Sequence, residues 1–253
     1  MNLLALDSES FPNVGLTWGT WDQRVIKVIH RRMVCSISWQ WLGNKKVENM
    51  ALPDFRGYHP DEKNNRKMML AFKREVLSKA DVVIGHNLVE FDDKMVNTDM
   101  FLEHIGPAAP HRAIDTLKIC RERLRLNSNK LDDVCEELGI GKKLKHPGIE
   151  MWEGCMRGDP RMWSWMRRYN NHDVAPLLTG LYEHVRPWMR RHPNVSIDQA
   201  VPGCPTCGAA PAHMKHDGMR HTQAMSYRKA FCTKCRSWCM GVTVRGKTAY
   251  RSF

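Results

Sequence analysis

Apolar and polar residues alternate in short runs over roughly the first 55 residues of the chain. The runs read LLALD, VGLTWGTW, RVIKVIH and MVCSISWQWLG, and they are broken at Pro12, Asp22 and Gly43. Alternation with a period of two is typical of strands that bury one face. The pattern therefore predicts several antiparallel strands at the start of the fold.

The pattern then changes to helical spacing. EKNNRKMMLAFKREVLSKA and FDDKMVNTDMFLEHIG predict two helices, separated by the short buried strand DVVIGHN. IDTLKICRERLRL predicts another helix, and so does KLDDVCEELGIGKK, which stops at Gly139. Asp159 is predicted to cap a longer helix that starts at Pro160 and ends or kinks at Pro176. This order predicts an α/β fold with a mixed sheet flanked by helices.

A polar stretch near the C-terminus separates two parts of the chain. It reads RRHPNVSIDQAVPG and contains Pro193 and Pro202, a composition typical of linkers. We therefore predict a large domain over residues 1–189, a linker over 190–203 and a small module over 204–253.

The 253-residue chain is basic, with 39 Lys and Arg residues against 27 Asp and Glu residues and a net charge of +12. Such an excess favours a polyanionic partner, nucleic acid rather than an anionic membrane. Nine basic residues and one acidic residue fall in residues 201–253, which gives this segment a net charge of +8. The first residues lack the features of a signal peptide or a membrane span, so we expect a cytoplasmic protein.

Carboxylates occur in three elements that could meet at one site. Asp7 and Glu9 are two apart on a predicted strand and so project from one face. Asp92 lies near a predicted helix start, and Tyr169 and Asp173 lie four apart on one helical face. Each has an ordinary alternative: a solvated strand end, an acidic first helical turn favoured by the helix dipole, or a Tyr–Asp hydrogen bond. A carboxylate on an apolar face is costly to bury unless it is paired or bound to metal.

In chain order, D-S-E at 7–9, H-N-x-x-x-F-D at 86–92 and Y-N-x-x-D-V at 169–174 resemble the motifs of the DEDD (DnaQ-like) exonuclease superfamily. They are most similar to the proofreading exonuclease domains of family B DNA polymerases. The segments at 114–117 and 130–140 are also similar to that family's linking segments. The resemblance implies an RNase H-like mixed sheet flanked by helices and a 3′→5′ exonuclease activity.

The resemblance also implies roles for individual residues. Two Mg²⁺ or Mn²⁺ ions would be held by the four carboxylates of Asp7, Glu9, Asp92 and Asp173. Tyr169, four residues before the last aspartate, implies the tyrosine subtype and a role in orienting the attacking water. Asn87 and Phe91 of the second motif are expected to contact nucleic acid. His172 is secondary, and Asp115 fits a helix N-cap better than a metal ligand.

Two Cys-x-x-Cys pairs in the small module have the spacing of zinc knuckles. The pairs are Cys204 with Cys207 and Cys232 with Cys235, separated by 24 residues. Four thiolates complete a tetrahedral site, so we predict one structural Zn²⁺ in a module that resembles a zinc ribbon. Four further residues are alternative ligands: Cys239, His213, His216 and His221. The remaining cysteines are predicted to be core residues: Cys35, Cys120, Cys135 and Cys155.

Basic and aromatic residues are interleaved in this module. Arg228, Lys229, Arg236 and Trp238 are candidates for nucleic-acid contact, because cations neutralise phosphates and aromatic rings stack on unpaired bases. The alternative is that the aromatic residues form the module's own small core. A zinc ion with four thiolates carries about −2, which lowers the local positive charge without cancelling it.

The leading functional hypothesis is therefore a two-metal 3′→5′ exonuclease that acts on single-stranded 3′ ends. DNA is favoured through the resemblance, and any proofreading role would require a separate polymerase or replication protein. Such a protein fits a bacteriophage, acting in the host cytoplasm, or a bacterial replication setting. The alternatives are an exoribonuclease or a structure-specific endonuclease on the same fold, and an inactive nucleic-acid-binding or scaffold protein.

Overall fold

The computed structural model describes residues 2–21, 23–62, 64–189, 203–221, 226–244 and 247–252. The chain divides into two compact units. The first comprises residues 1–115 and 130–180, and the second comprises residues 116–129 and 181–253. Apart from Gly203, the predicted linker lies outside the described residues.

The first unit contains seven strands among its described residues. They are β1 (Leu3–Phe11), β2 (Val14–Leu16), β3 (Lys27–His30), β4 (Met33–Trp41), β5 (Val47–Ala51), β6 (Val82–Gly85) and β7 (Arg112–Asp115). Five form one sheet in the order β5-β4-β1-β6-β7, while β2 and β3 form a separate antiparallel ribbon. Strands β5, β4 and β1 pair antiparallel, and β1, β6 and β7 pair parallel. The predicted mixed sheet is confirmed.

The helices follow the periodicity of the sequence closely but not everywhere. They are α1 (Arg66–Glu75), α2 (Asp92–Leu102), α3 (Thr116–Arg123), α4 (Leu131–Glu137), α5 (Ile149–Met156), α6 (Pro160–His172) and α7 (Thr179–Val185). The Asp159 side chain caps α6 by accepting from the Arg161 N–H at 2.8 Å, as predicted. The helical conformation breaks at Ala175, just before Pro176. Helix α5 was not predicted.

The helix predicted from residue 114 begins later than expected. Ile114 pairs with Ile84 in the parallel ladder of β6 and β7, and the helix starts only at Thr116. The apolar spacing continues from the strand into the helix, so periodicity alone does not show where the strand ends. Its pairing with β6, a tertiary contact, decides the boundary. This short strand completes the edge of the sheet.

The core of the first unit lies on the sheet and under its helices. Val82, Val83 and Ile84 are completely buried, as expected for a central strand of a parallel ladder covered on both faces. Leu4 of β1 and Met166 of α6 are also completely buried. The packed sheet gives β1 a fixed position from which its polar residues project.

The second unit contains a four-stranded antiparallel sheet. Its strands are β8 (Met214–His221), β9 (Ser226–Cys232), β10 (Trp238–Val244) and β11 (Lys247–Ser252), in the order β11-β10-β9-β8. Its buried cluster is small and rich in cysteine: Cys204, Ala209, Met214, Ala230, Cys232, Cys235 and Cys239. Across the described parts of both units, no helix is long and apolar enough to cross a membrane.

Candidate active site

Three of the predicted acidic residues converge at one point of the first unit. Asp7 and Glu9 project from the same face of β1, opposite Ser38 and Ser36 of β4. Asp173 follows the last residue of α6 and is 1% exposed. One carboxylate oxygen from each of Asp7, Glu9 and Asp173 lies within 4.8 Å of the others. The spacing of the two acids on the strand and the end of α6 therefore produce a compact acidic cluster.

Asp92 lies beside this cluster and is held from the other face of β1. Its Oδ1 atom accepts from the Ser8 N–H at 3.0 Å and from the Ser8 hydroxyl at 2.6 Å. Ser8 lies between the two acids of β1, so alternation directs its side chain to the opposite face. Asp92 is not among the three residues whose oxygens meet within 4.8 Å. Its role as a fourth ligand stays a prediction.

Burial and mutual repulsion make the carboxylates of the cluster hard to ionise. Burial raises the pKa of Glu9 to about 8, and the neighbouring charge of Asp173 contributes to the increase. Burial also raises the pKa of Asp7, together with the charges of Asp92, Glu9 and Asp173. Such a group of acids is stabilised by a cation placed among them.

The oxygen atoms of the cluster fit a divalent metal ion. Asp173 Oδ1 is buried and has no hydrogen-bond partner among the described residues, although Oδ2 of the same carboxylate is ion-paired. A buried carboxylate oxygen without a partner is costly unless a ligand satisfies it. A donor set made only of carboxylate oxygens suits Mg²⁺ or Mn²⁺.

Lys143 is a site residue that the sequence prediction did not identify. Its Nζ atom lies 2.5 Å from Asp173 Oδ2 and donates to the Tyr169 hydroxyl at 3.2 Å. Burial acts to lower the pKa of Lys143, but the opposing effects of Asp173 and Tyr169 together outweigh it. The net pKa is raised, so the ammonium stays charged. Lys143 lies between α4 and α5, in the basic run KKLK, which carries no signal that distinguishes it from a solvated surface lysine.

Tyr169 lies next to the acids as a neutral phenol. Burial and the negative charge of Asp173 raise the pKa of Tyr169 to about 12. The ring of His146 packs edge-on against it with ring centroids 4.8 Å apart. A neutral hydroxyl in this position can orient a water molecule by hydrogen bonding but is not a strong base. His172 contacts the Lys142 carbonyl oxygen at 2.8 Å, and its secondary rank stays a prediction.

Asn170 orients Asp7 from α6. Its Nδ2 atom donates to Asp7 Oδ2 at 2.6 Å, and its Oδ1 atom accepts from the hydroxyls of Ser36 at 3.0 Å and Ser38 at 2.8 Å. Asn170 is completely buried, and Asn49 donates to both serine hydroxyls. The carboxylate of Asp7 is thus held by a polar network that spans β1, β4, β5 and α6.

Replacing Asn170 by alanine is expected to weaken Mn²⁺ binding at the acidic cluster about tenfold, because groups that orient metal ligands typically contribute 10–100-fold to affinity. Isothermal titration calorimetry with Mn²⁺ measures the change. Asn171→Ala is the matched control, since Asn171 accepts from the Ser38 hydroxyl at 2.8 Å but has no hydrogen bond to Asp7. Equal affinities for both variants would contradict the positioning role.

A cleft of about 520 Å³ opens beside the acidic cluster. Glu9, Arg32, Phe91 and Trp152 are among its lining residues. The guanidinium of Arg32 lies 4.6 Å from the centre of the Phe91 ring and also donates to the Ser10 hydroxyl at 3.0 Å. Aromatic faces next to a fixed cation suit a ligand that combines flat rings with negative charge.

Asn87 shapes the turn that leads to this cleft. It has a positive φ of 67°, and its N–H donates to Asp115 Oδ1 at 3.0 Å. The other Asp115 oxygen accepts from the Val89 N–H at 3.3 Å. The structure thus uses Asp115 to hold the turn before Asp92. Phe91 lines the cleft, whereas Asn87 is not among its lining residues.

The two cysteine pairs converge in the second unit. The Sγ atoms of Cys204, Cys207, Cys232 and Cys235 all lie within 4.8 Å of one another. The two loops repeat one geometry: the Gly208 N–H donates to the Cys204 carbonyl, and the Arg236 N–H donates to the Cys232 carbonyl, both at 2.9 Å. Gly208 and Arg236 have positive φ values of 70° and 62°. Arg236 therefore occupies the position that glycine occupies in the first loop.

Residues predicted to contact nucleic acid lie on β9 and β10. Lys229 Nζ is 5.5 Å from the centre of the Trp238 ring, and Phe231 packs against the same ring at 5.2 Å. Trp238 is 41% exposed, so one part of it packs within the unit and another part is open. Arg228 precedes Lys229 on the strand and so points to the opposite face. The structure brings Lys229 and Trp238 together and separates them from Arg228.

A five-stranded mixed sheet with helices on its faces, and with acids collected on its central strand, defines an RNase H-like protein. The sequence model of the RNase H superfamily matches residues 35–186, and the chain belongs to that superfamily. The predicted RNase H-like fold is confirmed.

Among solved structures, the chain is similar to the family B DNA polymerase from the hyperthermophilic archaeon Pyrobaculum calidifontis. The TM-score is 0.53 at 19% sequence identity, and the match covers 74% of this chain. It covers 24% of the polymerase chain, so the shared fold is a small part of that protein. No curated protein sequence matches the chain.

Proposed function

We propose that this protein is a divalent-metal-dependent 3′→5′ exonuclease of the DEDD tyrosine subtype, acting on single-stranded ends with DNA favoured. The observation that carries the proposal is the convergence of Asp7, Glu9 and Asp173 within 4.8 Å. Tyr169 reaches this cluster through Lys143, which contacts both Tyr169 and Asp173. Membership of the RNase H superfamily and the fold similarity to a DNA polymerase support the same assignment.

The proposed roles follow from position and charge. Asp7, Glu9 and Asp173, with Asp92 as the fourth acid, would hold two Mg²⁺ or Mn²⁺ ions. When bound, such ions supply an activated water and stabilise the leaving oxygen of a phosphodiester. The neutral phenol of Tyr169 would orient the attacking water. Lys143 would position the side chains of Tyr169 and Asp173 through its contacts with both, and it would offset part of the negative charge of the cluster.

The cleft would bind the end of the substrate strand. Phe91 and Trp152 can stack on bases, and Arg32 can contact a phosphate. Stacking of this kind requires the faces of unpaired bases, which favours a single strand over a duplex. Asn87 would act by shaping the turn before Phe91.

The second unit would add nucleic-acid affinity. We propose that its four clustered cysteines hold one structural Zn²⁺, and that Lys229, Trp238, Arg228 and Arg236 contact the strand. The proposed organisation keeps the boundaries predicted from the sequence: residues 1–189 for the nuclease, 190–203 for the linker and 204–253 for the zinc module. A separate polymerase or replication protein is a proposed partner.

The activity is tested with the same single strand labelled either at its 5′ end or at its 3′ end, in Mg²⁺ or Mn²⁺. A 3′→5′ exonuclease is expected to convert the 5′-labelled strand into a ladder of shorter products. It is expected to release the 3′ label directly as a mononucleotide. Chelation with EDTA should stop both reactions.

Three comparisons decide between the proposed function and the alternatives. Cleavage of a circular single strand would indicate an endonuclease. Faster shortening of RNA than of DNA with the same sequence would indicate an exoribonuclease. Metal-independent binding without shortening of any strand would indicate an inactive binding protein.

A further inference from the structure

The ribbon formed by β2 and β3, with its connecting loop and roots, is strongly exposed. We call residues 13–32 the arm. Trp18 is 89% exposed and Trp21 is 86% exposed. Five aliphatic side chains of the arm are about half exposed: Leu16, Val25, Ile26, Val28 and Ile29. Two tryptophans in this state indicate a binding surface, since large exposed apolar groups rarely persist without one.

The base of the arm is held firmly to the first unit. Asn13 Oδ1 accepts from the Arg32 N–H at 2.7 Å. The guanidinium of Arg31 forms ion pairs with the buried carboxylate of Asp99 and with Glu103. These contacts fix both roots of the arm, so binding a ligand costs little conformational entropy for orienting the arm.

Hydrogen bonds and close packing also join described residues on the two sides of the arm. The Ile26 N–H donates to the Leu16 carbonyl at 2.8 Å, and the Thr17 hydroxyl donates to the Gly19 carbonyl at 2.7 Å. A Cβ atom at Gly15 would lie 2.4 Å from Val25 Cγ1, so glycine is required for the loop to fold against the strand. Trp18 is thus flanked by residues that are held by hydrogen bonds and close packing.

The arm is continuous with the cleft. Asn13 and Arg32, which form its roots, line the cleft together with Glu9 of the acidic cluster. Residues 13–32 include Arg24, Lys27, Arg31 and Arg32 against Asp22 alone, a net charge of +3. Arg31 is paired with Asp99 and Glu103, and Arg32 already lines the cleft. The cations that the arm adds for a polyanion leaving the cleft are therefore Arg24 and Lys27.

We propose that the arm binds the single-stranded segment adjoining the nucleotides in the cleft. Trp18 and Trp21 stack on unpaired bases, and Arg24 and Lys27 contact phosphates. The proposal deepens the proposed function and rests on it, because both concern one substrate strand. The positive charge of the arm and its shared roots with the cleft favour nucleic acid over a protein partner.

The proposal is tested by fluorescence anisotropy with a labelled 20-nucleotide oligothymidine and a labelled trinucleotide, both in EDTA so that no hydrolysis occurs. The double variant Trp18→Ala/Trp21→Ala is expected to bind the 20-mer at least about tenfold more weakly, since each stacked base contributes several-fold or more. Its affinity for the trinucleotide, which fills only the cleft, is expected to stay unchanged. Phe101→Ala is the matched control, because Phe101 is 78% exposed on α2.

A second variant, Arg24→Ala/Lys27→Ala, tests the phosphate contacts. Loss of two contacts is expected to reduce the slope of log affinity against log salt by about 1.4, at about 0.7 for each phosphate of a single strand. Because both pairs of side chains are exposed, a circular dichroism spectrum equal to that of the wild type checks the fold.

The outcomes separate this proposal from the nuclease assignment. Unchanged 20-mer affinity in both variants would overturn the role of the arm. The role would also be overturned if the tryptophan variant kept its 20-mer affinity but lost a self-association that the wild type shows, because the arm would then bind a second copy of the chain. Weaker 20-mer binding by both variants, in a protein that never shortens a strand in Mg²⁺, would support the arm and overturn only the nuclease assignment.

Discussion

Changing Asp7 to asparagine is expected to lower the rate of metal-dependent strand shortening by about a thousandfold or more. Asparagine keeps the size of the side chain and can still accept from Asn170, but it removes the charge that a divalent ion requires. Loss of such metal stabilisation corresponds to several kcal/mol, and each 1.36 kcal/mol is about tenfold in rate. The measurement is the initial rate in Mg²⁺ on a 5′-labelled single strand.

The control for this prediction is Asp61→Asn. The side chain of Asp61 is 92% exposed, and its only described ion pair is with His59 at 3.5 Å. Its rate is expected to stay within about twofold of the wild type, because isolated surface charges contribute little. Similar rates for the wild type and Asp7→Asn would remove Asp7 from the catalytic residues.

The Asp7→Asn variant also gives a second readout, its thermal stability in EDTA. The pKa of Asp92 is raised to about 7 by burial, against hydrogen bonds from Ser8, and the pKa of Glu9 is raised to about 8. The folded protein thus retains protons that the unfolded chain releases near pH 4. Stability from these groups is complete below pH 4 and is lost as pH rises through about 7–8. Burial also raises the pKa of Asp7 itself. Asp7→Asn replaces this carboxyl by a group that does not titrate, so the Tm of the variant should fall less between pH 5 and 8.

Thermal unfolding followed by circular dichroism at pH 5 and pH 8 measures this difference. Between pH 5 and pH 8 the Tm of the wild type is expected to fall more than that of Asp7→Asn. Millimolar Mg²⁺ is expected to restore the Tm of the wild type at pH 8. If the Tm of the wild type in EDTA does not depend on pH, the pKa values of these buried carboxyls are not raised in the folded protein.

Changing Cys232 to alanine is expected to abolish the proposed zinc site and to unfold the second sheet. Structural zinc sites contribute about 10–16 kcal/mol at neutral pH. The buried cluster at this sheet has few residues besides the cysteines themselves, namely Ala209, Met214 and Ala230. Such a small core is not expected to keep β8, β9 and β10 together without the metal.

Metal analysis of the purified protein and hydrogen–deuterium exchange measure the two effects. The zinc content is expected to fall from about one ion per chain to nearly none, and the amides of β9 are expected to exchange rapidly. Cys239→Ala is the matched control, because Cys239 is buried in the same cluster but is not one of the four converging thiols. Loss of zinc in this control would make Cys239 a ligand.

Much of the candidate site could be predicted because its signals are local. Residues two apart on a strand share a face, which brings Asp7 and Glu9 to one side of β1. Residues four apart share a helical face, which groups Tyr169 with Asp173. The Cys-x-x-Cys pairs are equally local, since each loop needs only a few residues and a positive φ after its second cysteine.

Other parts of the site depend on contacts between distant segments. Lys143 has no distinguishing neighbours in the sequence, and its importance arises only because the segment between α4 and α5 passes over Asp173. Asn170 lies within a motif, but its role depends on Ser36 and Ser38, which reach it through the register of β1 and β4. The exposure of Trp18 and Trp21 is also tertiary, since the same alternation would suit strands of the main sheet.

The sequence by itself determined most of the elements, which acids share a face and which cysteines can meet, because periodicity and loop geometry act over a few residues. It missed α5 and the strand character of β7. Tertiary structure decided which side chains orient those groups. The bond from Asn170 to Asp7 joins residues 163 positions apart and exists only because α6 packs on the sheet at one register. Partners of that kind are fixed by packing and burial, which local sequence patterns do not contain.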